Sequence, residues 1–176
     1  MATIDNVRRV ALGEDPPIPF IAVGVDGTPG SLEALRWAAR EAMIHSVALV
    51  AVRIWHFPVN ASGFLTDESV AAIQREEEEE LELDLFEVIG DAPGIEIVRL
   101  VTSGATTKTL FASAEKAEML VIGSNGHRGL TNAVIGSVSS QVAHYASCPV
   151  VVVPLQLHLA SSAARSASDG AGQSGG

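Results

Sequence analysis

Short apolar runs alternate along the chain with longer stretches whose apolar residues recur at helical spacing. The short runs predict strands at residues 20–26, 47–56, 95–104, 119–123 and 148–154. The longer stretches predict helices over residues 28–46, 66–90 and 106–118, and through Val134, Val138, Val142 and Tyr145. Because strands and helices alternate, the pattern predicts an α/β fold: a doubly wound, mostly parallel, five-stranded sheet with helices on both faces.

Such a sheet binds ligands at the carboxyl ends of its strands, where the strand order reverses. With the strand order 3-2-1-4-5, the first and fourth predicted strands lie side by side at that point. Asp26 ends the first predicted strand, and Gly123 ends the fourth. We therefore expect Asp26 and the loop after Gly123 to face one crevice.

Composition divides the chain into three parts. We predict a flexible leader at residues 1–17, one folded domain at residues 18–155, and a disordered tail rich in serine, alanine and glycine at residues 156–176. The leader shows no recognisable signal peptide, and no apolar stretch is long enough for a membrane helix. The expected location is the cytoplasm, with no membrane association.

The charge balance opposes two classes of partner. The chain has 11 basic and 21 acidic residues, and its net charge of −10 repels nucleic acid and anionic lipid. Part of this charge lies in the run Glu76–Glu80, which we interpret as a solvated helix face. A phosphorylated ligand would have to be held mainly by local backbone dipoles.

Gly123, Gly126, Gly129 and Gly136 lie between the fourth predicted strand and the helix that follows it. Glycine lets a phosphate approach the backbone without a side-chain collision, and a helix N-terminus presents free N–H groups and partial positive charge. The loop therefore indicates an anion site near a helix start, although glycines that merely shape a long turn are the alternative. Neither a Walker loop ending in Gly-Lys-Ser/Thr nor a Gly-x-Gly-x-x-Gly fingerprint after the first strand is present.

Other kinds of site find little support in the sequence. The histidines show no i, i+4 pairing, which disfavours a metal site, and the serines of GSVS lack the Gly-x-Ser-x-Gly elbow of a hydrolase. Cys148 has no cysteine partner for a disulfide or a zinc cluster, and we interpret it as a small buried hydrophobe. We predict no catalytic residue and no metal ligand.

The glycine spacing is similar to a family signature. Gly123-x2-Gly126-x9-Gly136-Ser137 resembles the Gly-x2-Gly-x9-Gly-Ser/Thr motif of nucleotide-binding universal stress proteins. The stretch VGVDGTPGSLEALRWAAREA resembles the opening of that family, and GSVSSQVAHYASCPVVVVP resembles its closing helix and strand. The resemblance covers about residues 18–155 and implies a single domain that binds an adenine nucleotide.

The resemblance also implies roles for individual residues. Asp26 matches the acidic residue beside the nucleotide, and Val52 matches the residue whose backbone meets the adenine edge. Gly24 would allow a close approach to the first strand. The implied cradle for ribose and phosphate, with its loop neighbours, consists of Gly123, Asn125, Gly126, Gly129, Gly136, Ser137 and Val138.

Two positions depart from the family pattern. Asn125 stands where members often carry a basic residue, which weakens the grip on phosphate, and Glu118 stands where an aspartate usually precedes the fourth strand. His127 and Arg128 are candidates for compensating phosphate contacts, because the planar donors of arginine suit phosphate geometry. The alternative is that both are ordinary solvated loop residues.

The resemblance implies a stress-response regulator and not an enzyme. It would bind ATP, with or without Mg²⁺, hydrolyse it slowly at most, and change its contacts with an unidentified regulatory protein. It would form a homodimer through the edge strand at residues 148–154. Three alternatives stay open: cyclic AMP as the ligand, an interaction module of the same fold without a nucleotide, and an adenylate-using transferase, against which the absent Ser-Gly-Gly-x-Asp-Ser loop counts.

Overall fold

The computed structural model describes residues 7–10, 16–57, 66–90, 94–124, 142 and 145–155. The strands in these residues are β1 (Val7–Val10), β2 (Phe20–Gly24), β3 (Ala48–Trp55), β4 (Ile97–Ser103), β5 (Met119–Gly123) and β6 (Val150–Val153). The helices are α1 (Pro29–His45), α2 (Asp67–Ile89) and α3 (Thr106–Ser113).

The strands form one parallel sheet in the order β1-β4-β3-β2-β5-β6. Numbered as they were predicted, the five strands β4-β3-β2-β5-β6 have the order 3-2-1-4-5, so the predicted fold class is confirmed. β1 is an additional strand within the segment predicted as a flexible leader. It pairs with the outer edge of β4, where backbone donors and acceptors would otherwise lack partners in the sheet.

Both faces of the sheet are buried, as the near-continuous apolar runs of the strands require. On the side of α1 and α2, Ile21, Val23 and Leu49 of the sheet pack in one core cluster with Leu81 and Leu85 of α2. On the opposite side, Phe20, Val50 and Val98 of the sheet belong to a second cluster with Leu110 of α3 and Val142. β2 contributes fully buried residues to both faces and is therefore the centre of the core.

The start of α1 follows the sequence prediction. Thr28 is the N-cap, since its Oγ1 accepts a hydrogen bond from the Ser31 amide at 3.3 Å, and Pro29 occupies the first turn. The helix ends at Ser46, which adopts a left-handed conformation with φ of 54°. Amides in the first turn of a helix have no carbonyl partner within the helix, so the missing N–H of Pro29 costs no hydrogen bond at this position.

The helices after α2 agree less completely with the bounds predicted from the sequence. α3 ends at Ser113, before the predicted end at residue 118. The helix predicted after the glycine loop is described only at Val142 and Tyr145, where the Ala146 amide donates to the Val142 carbonyl at 3.1 Å. The predicted tail, residues 156–176, lies outside the described residues. Within the described ranges, no helix is long and apolar enough to cross a membrane.

Candidate functional site

β2 and β5 end side by side at the carboxyl edge of the sheet. Ile21 pairs with Met119 and Val23 pairs with Val121. The strand order reverses between these two strands, since β3 and β4 lie beyond β2 while β6 lies beyond β5. The structure therefore confirms that the strand ends before Asp26 and at Gly123 are neighbours.

Asp26 organises the turn between β2 and α1. Its Oδ1 accepts hydrogen bonds from the Thr28 hydroxyl at 2.6 Å and from the Thr28 amide at 3.1 Å. The Asp26 amide donates to the Ser31 Oγ at 3.2 Å, and the Ser31 hydroxyl donates to the Thr28 carbonyl at 3.0 Å. These bonds fix an exposed carboxylate at the edge of the crevice, where it can accept hydrogen bonds from the hydroxyl or amino groups of a nucleoside.

The Asp26 carboxylate is ionised at neutral pH. Partial burial acts to raise its pKa, but hydrogen bonds from Thr28 and Ser31 and the positive charge of Arg53 outweigh that effect. The pKa of Asp26 therefore lies below the usual value for aspartate. Near pH 7 the side chain presents only hydrogen-bond acceptors.

Gly123 packs against the backbone at the start of α1. A Cβ atom at this position would lie 2.5 Å from the Gly30 carbonyl carbon and 2.8 Å from the Ser31 amide nitrogen. Both separations are much shorter than normal carbon contacts, so a side chain here would push α1 away from β5. Packing alone therefore explains the glycine at position 123, whatever its role toward a ligand.

Gly24 and Val52 pair with each other in β2 and β3. A Cβ atom on Gly24 would lie 3.3 Å from Cδ2 of Leu110, so this glycine faces the apolar core beneath α3. Val52 is buried, and its carbonyl oxygen accepts a hydrogen bond from the Val25 amide at 2.9 Å. Both residues thus lie close to Asp26 along the sheet, and their predicted contacts with a nucleotide stay predictions.

Most of the predicted phosphate cradle lies outside the described residues, namely Asn125, Gly126, His127, Arg128, Gly129, Gly136, Ser137 and Val138. Ser124, just before this loop, follows β5 directly and is bonded to the end of β6 and to Leu155 beyond it. Its amide donates to the Val153 carbonyl at 2.8 Å, and its Oγ accepts from the Leu155 amide at 3.3 Å. The loop therefore begins at a fixed point beside the crevice.

An ionic cluster beside Asp26 was missed by the sequence analysis. Arg53 in β3 has a side chain only 8% exposed. Its Nε bonds Glu77 at 2.6 Å, its Nη1 bonds Asp84 at 2.9 Å, and its Nη2 bonds Glu80. We call these four residues the Arg53 cluster. The positive charge that lowers the pKa of Asp26 comes from this cluster.

The Arg53 cluster corrects the interpretation of Glu76–Glu80 as a solvated helix face. Glu76, Glu79 and Glu80 are exposed, as expected, but the interpretation is wrong for Glu77, which is partly buried; the carboxylates of Glu77 and Glu80 both bind a buried guanidinium. A signal was present in the sequence, since Arg53 interrupts an otherwise apolar strand. A charge at such a position needs partners, because a buried unpaired charge is very costly.

Asp26 is the acidic side chain that the described residues place at the crevice. The Asp26 carboxylate offers acceptors at the crevice, while the described residues contain no group of His, Cys, Asp and Glu arranged to hold a metal. Donors for phosphate would come from the glycine loop and the helix predicted after it.

A family model described as the universal stress protein family matches residues 20–154. The chain belongs to the universal stress protein family. This confirms the resemblance that the sequence motifs indicated. A curated universal stress protein of Mycolicibacterium smegmatis is 31% identical to this one over 139 residues, covering 76% of this chain and 47% of the relative.

A second relative, a universal stress protein of Mycobacterium tuberculosis, is 34% identical over 140 residues, covering 78% of this chain and 46% of its own length. This universal stress protein therefore spans about half the length of the curated relatives it matches. Among solved structures, a universal stress protein in complex with cAMP is similar with a TM-score of 0.52 and 25% identity, covering 78% of this chain and 98% of that chain.

Proposed function

We propose that this universal stress protein binds an adenine nucleotide at the crevice between the ends of β2 and β5. The observation that carries the proposal is the position of Asp26 beside the strand end at Gly123, from which the Gly-x2-Gly-x9-Gly-Ser spacing continues. The ionised carboxylate would accept hydrogen bonds from the adenosine. The loop after Ser124 would hold the phosphates with backbone donors and the Ser137 hydroxyl.

ATP is the ligand we propose, with Mg²⁺ bound to its phosphates if a metal takes part. Because the net charge of −10 repels a triphosphate, the loop must supply several donors, and His127 and Arg128 are candidates for contributing to them. Cyclic AMP is the alternative ligand. The solved relative in complex with cAMP supports it, since the same adenosine contacts would serve with fewer phosphate contacts.

We propose that nucleotide occupancy regulates contacts with another protein and does not serve a fast reaction. A general base works best when its pKa lies near the working pH. The pKa of Asp26 is lowered, so its carboxylate is a weak base, and it is placed for the adenosine end of the ligand. ATP hydrolysis would therefore be slow at most.

The test is the nucleotide content of freshly purified protein, released by denaturation and identified by mass spectrometry. We expect near-stoichiometric adenine nucleotide in the wild type and none in Gly136→Glu. The glutamate side chain would fill the predicted cradle, and its carboxylate would repel the phosphates of the nucleotide. The matched control is Ala72→Glu, which adds the same side chain and charge at an exposed position of α2. Circular dichroism checks that both variants are folded.

An empty wild type that also gives no calorimetric response to ATP, ADP or cyclic AMP would refute nucleotide binding. The remaining candidate would then be an interaction module of the same fold. Nucleotide in the wild type and in both variants would refute the predicted phosphate cradle while leaving the crevice in place.

We also propose a homodimer formed through residues 148–154. β6 is the last strand of the sheet on its side, and within the described residues its outer edge has no strand partner. Its valines are only partly buried, and such an apolar edge is normally covered. Light scattering at micromolar concentration is expected to give twice the chain mass, and a monomer would contradict the proposal.

A further inference from the structure

Arg53 lies beneath the turn that carries Asp26. Gly27, the next residue of the turn, has a φ of 73° and faces the Arg53 cluster. A Cβ atom on Gly27 would lie 3.7 Å from Nη1 of Arg53 and 3.8 Å from Oδ2 of Asp84. An added methyl group would thus just touch both side chains, so the guanidinium and the Asp84 carboxylate lie directly beneath the turn and are separated from it by about the width of that group.

The direction of the guanidinium is set by α2. Glu77, Glu80 and Asp84 are spaced i, i+3 and i+7, so they share one face of the helix. Each of them bonds a different nitrogen of Arg53. A planar guanidinium held at three nitrogens has little freedom to rotate, and its side chain is only 8% exposed.

Arg53 therefore links three elements. Its backbone belongs to β3 directly after Val52, its guanidinium is held by α2, and the same guanidinium faces the β2–α1 turn, where its positive charge acts on the Asp26 carboxylate. Val52 and Asp26 are the two residues predicted to contact the adenosine. Arg53 follows Val52 in the sequence and lies near Asp26 in space. A movement of α2 against the sheet would move this charge relative to the turn and to Asp26.

We propose that Arg53 is a positioning residue that couples the placement of α2 to the adenosine end of the nucleotide site. This inference rests on the proposed function. By linkage, α2 packed in its observed position favours nucleotide binding, and bound nucleotide favours that position of α2 to the same extent. α2 is thus the element through which nucleotide occupancy would be passed to the outside of the molecule.

The testing variant is Arg53→Lys, which keeps the positive charge but replaces a planar fork with a single ammonium group. The matched control is Arg99→Lys. Arg99 also extends from the sheet to α2, where its Nη1 bonds Glu82 at 2.6 Å, but it lies in β4 opposite Ala51 and away from the turn. Both variants thus replace a guanidinium that joins the sheet to α2, although Arg53 bonds three carboxylates there and Arg99 bonds Glu82.

Hydrogen exchange reports directly on the turn, because the amides of Asp26, Thr28 and Ser31 are all bonded within it. In Arg53→Lys without nucleotide, we expect these amides to exchange at least about tenfold faster than in the wild type. In Arg99→Lys they should exchange at the wild-type rate. Thermal unfolding of both variants shows whether any difference reflects global stability.

Calorimetric titration with ATP and with cyclic AMP is the second measurement. We expect Arg53→Lys to bind roughly five- to twentyfold more weakly than the wild type, in the range of known couplings between sites, and Arg99→Lys to differ by less than about twofold. The wild-type titration is evaluated first, since an absence of binding there refutes the proposed function itself, and with it the coupling to a nucleotide.

If the wild type binds, three results would overturn the inference alone. Unchanged exchange at the turn in Arg53→Lys would show that the guanidinium does not position it. Faster exchange with unchanged affinity, or equal losses of affinity in both variants, would show that the position of the turn is not coupled to the nucleotide.

Discussion

Gly123→Ala is expected to lower the free energy of unfolding by about 3 kcal/mol, at the upper end of the usual cost of overpacking. The added Cβ atom would lie 2.5 Å from the Gly30 carbonyl carbon. A flexible side chain could move aside at small cost, but here the obstacle is the backbone of the first turn of α1. Relief therefore requires α1 to shift away from β5.

Gly24→Ala provides the matched control. Gly24 lies at the end of the neighbouring strand β2, and its added Cβ atom would lie 3.3 Å from a terminal methyl group of Leu110, which can move. Neither Gly24 nor Gly123 has a positive φ, so alanine can adopt the backbone conformation at both positions. Both substitutions therefore reduce the conformational freedom of the unfolded chain to a similar extent. We expect Gly24→Ala to cost less than about 1 kcal/mol.

Urea unfolding followed by circular dichroism measures both variants, and the nucleotide-free protein is used so that ligand binding adds nothing to stability. Equal and small losses at the two positions would contradict the packing explanation and leave a ligand contact as the reason for Gly123. A large loss at Gly123 alone would mean that the glycine is needed before any nucleotide is bound.

The fold was predictable from the sequence because its signals are local. Each central strand is a short apolar run, such as the one ending at Gly24, and the two longest helices have recognisable capped starts at Thr28 and Thr66. Alternation of these elements restricts the connections to parallel crossovers. The position of Asp26 at the carboxyl edge follows from the same alternation.

The contacts that were missed depend on residues far apart in the chain. The reason for Gly123 is the backbone of Gly30, and no local pattern reports that distance. β1 was missed because two arginines interrupt its apolar residues and because its pairing depends on the exposed edge of β4. Periodicity describes which face of an element is apolar, and it leaves the identity of the facing element undetermined.

The Arg53 cluster shows the same limit for charged residues. A run of glutamates on a helix is usually solvated, and only the facing strand shows that Glu77 and Glu80 are partners of a buried arginine. The pairing joins residues at least 24 positions apart in sequence. An arginine within an apolar strand is the useful signal, since it requires carboxylates on the element that covers it.

Arg53→Met is expected to lower the free energy of unfolding by roughly 3 kcal/mol at pH 7, the lower end of the range for breaking a buried ion pair. Methionine fills much of the space of the arginine stem, so the main loss is the positive charge between three carboxylates. The lower end applies because these carboxylates keep partial contact with solvent. Arg99→Met, which removes the partner of Glu82 alone, should cost about 1 kcal/mol.

The loss in Arg53→Met should depend on pH in a defined direction. Burial and the nearby Glu80 and Glu87 raise the pKa of Asp84, and Arg53 opposes them, so removing Arg53 raises the pKa further. A raised folded-state pKa contributes stability that is fully present below the unfolded value of about 3.9 and is lost as pH rises through the folded value. The difference from the wild type is therefore largest near neutral pH and shrinks toward pH 4.

Urea unfolding of the wild type and of Arg53→Met between pH 4.5 and 7 tests this pH dependence. The companion variant is Arg53→Met/Glu77→Gln/Asp84→Asn. Neutral amides in place of two carboxylates should recover more of the lost stability at pH 7 than at pH 4.5, because the raised pKa of Asp84 makes its protonation, which relieves the repulsion, more complete at the lower pH. A loss that stays the same across this pH range, with no recovery in the companion, would assign the effect to lost packing of the arginine stem. Solvent alone would then stabilise the carboxylates of α2, and the Arg53 guanidinium would not be needed to hold α2 against the sheet.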